Sequence, residues 1–302
     1  MKLIIRPQAP FNFKLSSIIF SNGDLQIQKF ENNSYWQVIR VNRNLVLITV
    51  RSVGSVDEPE LSVTIKPEYD LNKEDLVLAR NMVKSIFNLD FKLRNFYDDM
   101  NDEKILSQLI PKLRGLNSPT TPTFFESIIT SIIEQQISLK AARSIENHII
   151  KKYGEKLTLE SNTYFAFPTP EILSKLKKED LRECGLSFRK AEYVIGLSNC
   201  IEENKIDLNG FKNRIASDVI SELMKIRGIG RWTAELAVVR GLHRLVKLPA
   251  DDIGLRRVVA HYYTDDKPIS GDELREIAKG WGRWSGLAAF YLIVAELMSV
   301  KI

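Results

Sequence analysis

A chain of 302 residues, 44% hydrophobic and 27% charged, can build two compact domains and is excluded from the disordered and collagen-like classes. Its only cysteines, Cys184 and Cys200, rule out a disulfide framework, a four-cysteine zinc site or an iron–sulfur cluster within the chain. The net charge of +5 divides into +1 for residues 1–100 and +4 for the remainder, a balance that suits a nucleic-acid partner without requiring one.

The opening MKLIIRPQAP lacks the long apolar stretch of a secretory signal. No later run approaches the roughly 20 apolar residues of a membrane span. An intracellular protein is expected, cytoplasmic beside the nucleoid or nuclear, without a membrane partner. Residues 1–100 read as an antiparallel α+β domain. Strands are predicted at 15–20 (LSSIIF), at 25–30 (LQIQKF, after the turn-prone Asn22-Gly23), across 35–53 with a break at Asn42-Arg43-Asn44, and at 61–67. The period then changes. Leu76, Ala79, Met82, Val83, Ile86 and Phe87 share one face of a helix predicted over Asp75–Asn88. The polar stretch FKLRNFYDDMNDEK, within 90–115, reads as a linker.

Residues 101–302 carry helical patterns only. Thr123-Phe-Phe-Glu126 is a capping box opening a helix whose apolar side holds Ile128, Ile129, Ile132, Ile133 and Ile137. Thr169-Pro170-Glu171 is a second helix start and Ser270-Gly-Asp-Glu273 a second capping box. Asp98-Asp99 and Asp265-Asp266 read as solvated turns. His148, His243 and His261 are isolated from one another, so no metal site is expected.

The sharpest local signal is Lys225-Ile-Arg227-Gly228-Ile229-Gly230-Arg231-Trp232-Thr233-Ala234. Helix, Gly-x-Gly, helix is a turn too tight for side chains at the glycines, and it leaves the second helix's first N–H groups facing outward. Those donors and the positive end of the helix dipole suit a phosphate oxygen, with Lys225, Arg227 and Arg231 adding attraction. A plain corner between packed helices is the alternative.

This string resembles the hairpin of the helix–hairpin–helix (HhH-GPD) DNA glycosylase superfamily, in its 3-methyladenine DNA glycosylase II branch. Three further stretches are similar to the family's elements in the same order: Phe125 to Ser138 with its Gln-Gln-Ile-Ser end, the Gly185-x-x-x-x-Lys190-Ala191 segment, and Leu248-Pro-Ala-Asp-Asp252-Ile-Gly-Leu-Arg-Arg-Val258. The resemblance spans about residues 105–300. It implies an N-terminal antiparallel α+β domain followed by an all-helical catalytic domain, with damaged double-stranded DNA as partner and the protein acting as a monomer.

The family's D-x-x-x-x-R-V pattern selects Asp252 as the catalytic carboxylate, beside a sugar that becomes cationic as the base leaves. Asp251 is its neighbour and is expected to cap the following helix. Gln136 falls at the position of the wedge that fills the gap left by an extruded base; a solvent-facing helix end is the alternative for Gln135 and Gln136. Bifunctional relatives carry a lysine before the Thr-Ala, whose amine forms a Schiff base; here that residue is Trp232, and Arg231 cannot substitute. A monofunctional, water-using enzyme follows, with Trp232 facing an alkylated purine through cation–π attraction or, alternatively, serving as core.

The family's other pocket aromatics fall on Leu236, Ile253 and Ile293, so a wider lesion range that includes hypoxanthine is expected. Phe11 and Phe13 could add aromatic surface or belong to the N-terminal core, and Trp281 and Trp284 read as core. The hairpin contacts are Lys225, Arg227, Gly228, Ile229, Gly230, Arg231 and Thr233, with Arg256 further on. Arg189, Lys190, Arg240, Arg244, Lys247 and Arg257 are additional phosphate candidates. The resemblance implies a monovalent cation on the hairpin carbonyls and no cofactor for the chemistry. A bifunctional 8-oxoguanine glycosylase/lyase and a non-catalytic DNA-binding module remain the rival readings.

Overall fold

The computed structural model describes residues 1–302. Strands β1 (Lys2–Ile5), β2 (Gln28–Glu31), β3 (Ser34–Val41), β4 (Asn44–Ser52) and β5 (Leu61–Pro67) form one antiparallel sheet in the order β1-β5-β4-β3-β2. β3 and β4 are joined through Asn42-Arg43, with Asn42 in the left-handed region that a tight hairpin requires and asparagine tolerates. β1 carries too few residues for a periodic signal and was not predicted.

The stretch 15–20 is not a strand. It belongs to α1 (Phe13–Ser17) and a 3-10 turn (Ile18–Phe20), because the Asn12 side chain accepts from the Leu15 N–H and starts a helix. One face of the sheet packs on α1 and on α2 (Lys73–Ile86), burying Tyr35, Ile39, Ile48, Val63 and Ile65 with Ala79, Val83 and Ile86.

The other face explains why β3 and β4 read as nearly continuous apolar runs. Val38 and Leu47 pack against Leu157 and Ala166, the first in β6 (Lys156–Leu159) and the second just past β7 (Asn162–Phe165) of a two-stranded hairpin. The expectation of helices only after residue 100 is therefore corrected. A two-stranded hairpin is marginal by itself and holds here because the sheet covers it.

The linker reading of FKLRNFYDDMNDEK is also overturned. That stretch contributes to α3 (Leu93–Asp99) and leads into α4 (Leu106–Lys112). Leu93, Phe96, Leu106 and Leu109 enter a core with α12 (Ile253–Tyr263) and α14 (Ser285–Leu297). Asp99 is no free turn residue, since its carboxylate accepts from the Trp284 indole N–H at 2.8 Å and from Arg283 at 2.7 Å. Trp281 and Trp284 lie in this core, as read from the sequence.

A second helical core joins α5 (Phe124–Glu134), α6 (Leu139–Tyr153), α7 (Pro170–Ser174), α8 (Lys178–Glu183), α9 (Phe188–Glu202), α10 (Ala216–Leu223) and α11 (Arg231–Leu242). α13 (Gly271–Ala278) starts at the predicted Ser270 capping box. α5 and α11 approach closely: a Cβ on Gly241 would meet the Ser127 Oγ at 2.2 Å, and that hydroxyl donates to the Ala237 carbonyl. α5 stops at Glu134, so Ile137 lies past its end and is exposed rather than on its apolar side. No helix is long and apolar enough to cross a membrane.

Candidate active site and nucleic-acid interface

The turn between α10 and α11 carries the Gly-x-Gly string. Gly228 has φ +92°, and a Cβ there would sit 2.1 Å from the Tyr193 ring, so both conformation and packing demand glycine. Ile229 is 4% exposed and anchors the turn in the core, with its N–H bonded to the Ile226 carbonyl. Its side chain is packed inward and that N–H is already bonded, so a DNA contact at this residue falls to the rest of its backbone. Gly230 is different. Its backbone is ordinary for any residue (φ −86°), a Cβ would meet nothing within 4 Å, and it offers no side chain to cap α11. The N–H groups of Arg231, Trp232 and Thr233 therefore lack helical acceptors, as the phosphate reading requires. The Thr233 side chain is buried and occupied, leaving only its backbone for a contact.

The hairpin forms one wall of a cleft of ≈ 500 Å³. Gln135 and Gln136 from the end of α5, and Arg189, Lys190 and Tyr193 from α9, line it with residues 224–230. Gln136 is exposed and left-handed at φ +56°. Gln135 points inward, its amide donating to the Gly228 carbonyl and to the Thr233 hydroxyl, each at 2.9 Å.

Several predicted phosphate contacts have other partners. The Lys190 ammonium donates to the carbonyls of Ile133 (2.7 Å) and Gln135 (2.6 Å), and burial pulls its pKa below the usual lysine range. Arg240 pairs with Glu134 at 2.7 Å, and Arg244 donates to the carbonyls of Lys212 and Arg214. These three are structural. Lys225 and Arg227 pair with Glu222 and Glu192 on the surface, pairs weak enough to yield to a phosphate. Arg257 is exposed; Arg256 is half-buried with its Nε unpaired.

Two residues beyond the cleft's glycine rim, Trp232 meets the second loop. Asp252 caps α12: one carboxylate oxygen accepts from the Leu255 N–H at 2.7 Å and the other from the Trp232 indole N–H at 3.0 Å. Each oxygen keeps a further lone pair. Asp251, expected from the sequence to cap this helix, does not cap it: it turns outward to Arg275 at 2.6 Å, and Asp252 takes the cap.

Leu236 lies one turn beyond Trp232 and is 6% exposed; Ile253 is 76% exposed at the start of α12, and Ile293 39% exposed on α14. Ile253 is thus a solvent-facing rim rather than an enclosed wall. Phe13 is 3% exposed, packed edge-on to Phe30 and against Phe87 within the sheet core. It and the equally buried Phe11 belong to the core of the N-terminal domain and offer no exposed aromatic surface, so the core reading holds for both.

Sequence reasoning missed Tyr193 and Glu235. Tyr193 backs Gly228, a contact no local spacing reveals. Glu235 is buried one turn beyond Arg231 with one oxygen unpartnered, and burial raises its pKa. No cluster of His, Cys, Asp and Glu gathers at metal-binding spacing.

Comparison with known proteins accords with this geometry. The HhH-GPD superfamily of base excision DNA repair proteins matches residues 129–283, the span that holds Gln136, the hairpin and Asp252. A DNA-3-methyladenine glycosylase of Bacillus subtilis is 27% identical over 266 residues, covering 87% of this chain and 86% of that protein. The solved 3-methyladenine DNA-glycosylase from Archaeoglobus fulgidus aligns with a TM-score of 0.86 at 25% identity, over 99% of this chain and 100% of its own. An 8-oxoguanine glycosylase/lyase of Clostridium acetobutylicum shares the fold, with a TM-score of 0.75, 21% identity, and coverage of 97% and 95%. By its matched residues and its architecture, the chain belongs to the HhH-GPD superfamily of base excision DNA repair proteins.

Proposed function

We propose that this protein is a monofunctional DNA glycosylase that extrudes alkylated purines from duplex DNA and hydrolyses their N-glycosidic bonds, acting as a monomer inside the cell. One observation carries the reading: the Asp252 carboxylate is held by the indole N–H of the residue standing where a lyase needs its lysine. With both oxygens oriented by neighbours, the carboxylate has lone pairs left to face C1′. As the C1′–N bond breaks, its electron pair leaves with the purine and positive charge develops on the sugar, where the carboxylate stabilises it. A water oxygen then bonds to C1′ and passes its proton to Asp252.

A purine alkylated at N3 or N7 is cationic and leaves as a neutral base, needing no acid to protonate it. Hypoxanthine is neutral and gains less from the Trp232 ring face. The expected order is therefore 3-methyladenine and 7-methylguanine ahead of hypoxanthine, with 8-oxoguanine last. A monovalent cation at the hairpin would share carbonyls already in use, since Ile226 accepts from Ile229 and Gly228 from Gln135. One lone pair on each remains for it.

Oligonucleotides carrying each of these four lesions, scored for released base, test the proposal. Release of 8-oxoguanine with a borohydride-trapped protein–DNA adduct would replace it by the bifunctional reading. Binding without release of any base would replace it by the DNA-binding module.

A further inference from the structure

Gln136 can occupy the gap behind an extruded base only while its turn keeps a set height above the hairpin. A left-handed glutamine is strained by about 1–2 kcal/mol, so neighbouring contacts must hold it. Two side chains do so from distant parts of the chain. The Gln135 amide reaches across to Gly228, 93 residues away, and to Thr233, 98 residues away. From α9, the Lys190 ammonium binds the Ile133 carbonyl in the last turn of α5 and the Gln135 carbonyl just past its end, where the helix dipole favours a cation. No carboxylate pairs with this lysine, although burial disfavours its charge. Those two carbonyls are what compensate it.

We propose that Gln135 and Lys190 are positioning residues that lock the turn bearing Gln136 to the hairpin and to the first turn of α11, so that strand grip and base extrusion act as one rigid unit. Gly228 belongs to the hairpin that holds the backbone, and Thr233 follows Trp232 directly. The brace therefore connects the three places where the extruded nucleotide must be held: its phosphate, its vacated stack position and its base. The inference rests on the glycosylase reading above.

The test uses the full chain with Gln135→Met and Lys190→Met, which keep the stems and remove the donors. A 2-aminopurine placed beside the lesion reports extrusion by fluorescence, independently of base release. Expected is a roughly tenfold loss of both extrusion signal and single-turnover excision, exceeding any loss of affinity for undamaged duplex. Placing the same lesion in a mispair, where extrusion costs less, should restore most of the rate. In a Gln136→Ala background, Gln135→Met should add little, because the brace acts through that turn. Equal losses in paired and mispaired DNA, full additivity with Gln136→Ala, or no loss would overturn the proposal.

Should Lys190→Met fail to fold by thermal melting, Lys190→Arg keeps the charge and donors, and its extrusion signal must exceed that of Gln135→Met. A wild-type protein that extrudes 2-aminopurine-flanked lesions but releases no base would remove the glycosylase reading and leave the brace standing.

Discussion

The two helices that assemble the site begin in opposite ways. α11 starts at Gly230, which has no side chain to satisfy the first N–H groups, whereas α12 starts at Asp252, which caps its own helix through Leu255. α2, α5, α6, α9 and α13 resemble α12, each with a side-chain cap from Asn72, Thr123, Ser138, Ser187 and Ser270. Glycine in place of such a cap costs a few tenths of a kcal/mol, a small sacrifice that leaves donors free for a phosphate. At α12 the cap has the reverse use: spending one oxygen on the helix fixes the direction of the other. An empty helix end binds; a filled one orients.

The largest effect should come from the filled end. Asp252→Asn keeps the N-cap through its one carbonyl oxygen but loses the acceptor for the Trp232 indole, so thermal stability should fall by no more than about 1 kcal/mol. Single-turnover base release should fall by about 10²–10³-fold, with affinity for lesion DNA preserved in a gel-shift titration. A larger loss of stability together with activity would mean that the carboxylate serves the fold alone.

The empty end gives the next effect, and it is opposite in kind. Gly230→Asp has room for its side chain and caps α11, so the melting temperature should hold or rise slightly. The new carboxylate would stand where a phosphate is expected and should weaken duplex binding by roughly tenfold or more at low salt. Unchanged affinity would show that the uncapped helix start makes no phosphate contact.

Trp232→Phe probes the link between the two ends. The ring face remains, but the hydrogen bond to Asp252 is lost, and excision of 7-methylguanine should slow by about tenfold with little change in Kd. An unchanged rate would show that Leu255 alone orients the carboxylate.

The smallest effect belongs to a third helix start. Glu126 follows the Thr123 cap of α5, and burial pushes its pKa up to about 8. The folded protein holds this proton between the ordinary 4.5 and about 8 while the unfolded chain does not, so its contribution to stability falls as pH rises through that window. His243, pulled down to about 4 by burial, acts oppositely as pH falls from 6.5 to 4. Melting temperatures between pH 6.5 and 8 therefore isolate the carboxyls, and Glu126→Gln should flatten the decline. An unaltered slope would assign it to other groups.

Local signals were legible wherever a few consecutive residues decide the outcome. The capping residues Thr123, Thr169 and Ser270, the tight hairpin at Asn42-Arg43 and the glycine corner at 228–230 all follow from interactions within about four residues. The stretches 15–20 and 91–104 were misread for the reverse reason: alternation and polarity in a short window cannot tell a helix half-buried against distant partners from a strand or a linker.

Charge presents the same division. Spacing marks Lys190, Arg240 and Arg244 as cations near the interface, yet only the packed chain turns them toward carbonyls and Glu134 instead of DNA. The sequence by itself determined the helix starts at Thr123, Thr169 and Ser270 and the glycine corner, since short-range sterics and hydrogen bonding fix these, whereas the candidate carboxylate came from the resemblance to the family's D-x-x-x-x-R-V pattern. Tertiary structure alone decided that Trp232 bonds Asp252 across 20 residues and that Gln135 ties α5 to the hairpin across 93, because side chains so far apart meet only when the cores between them pack.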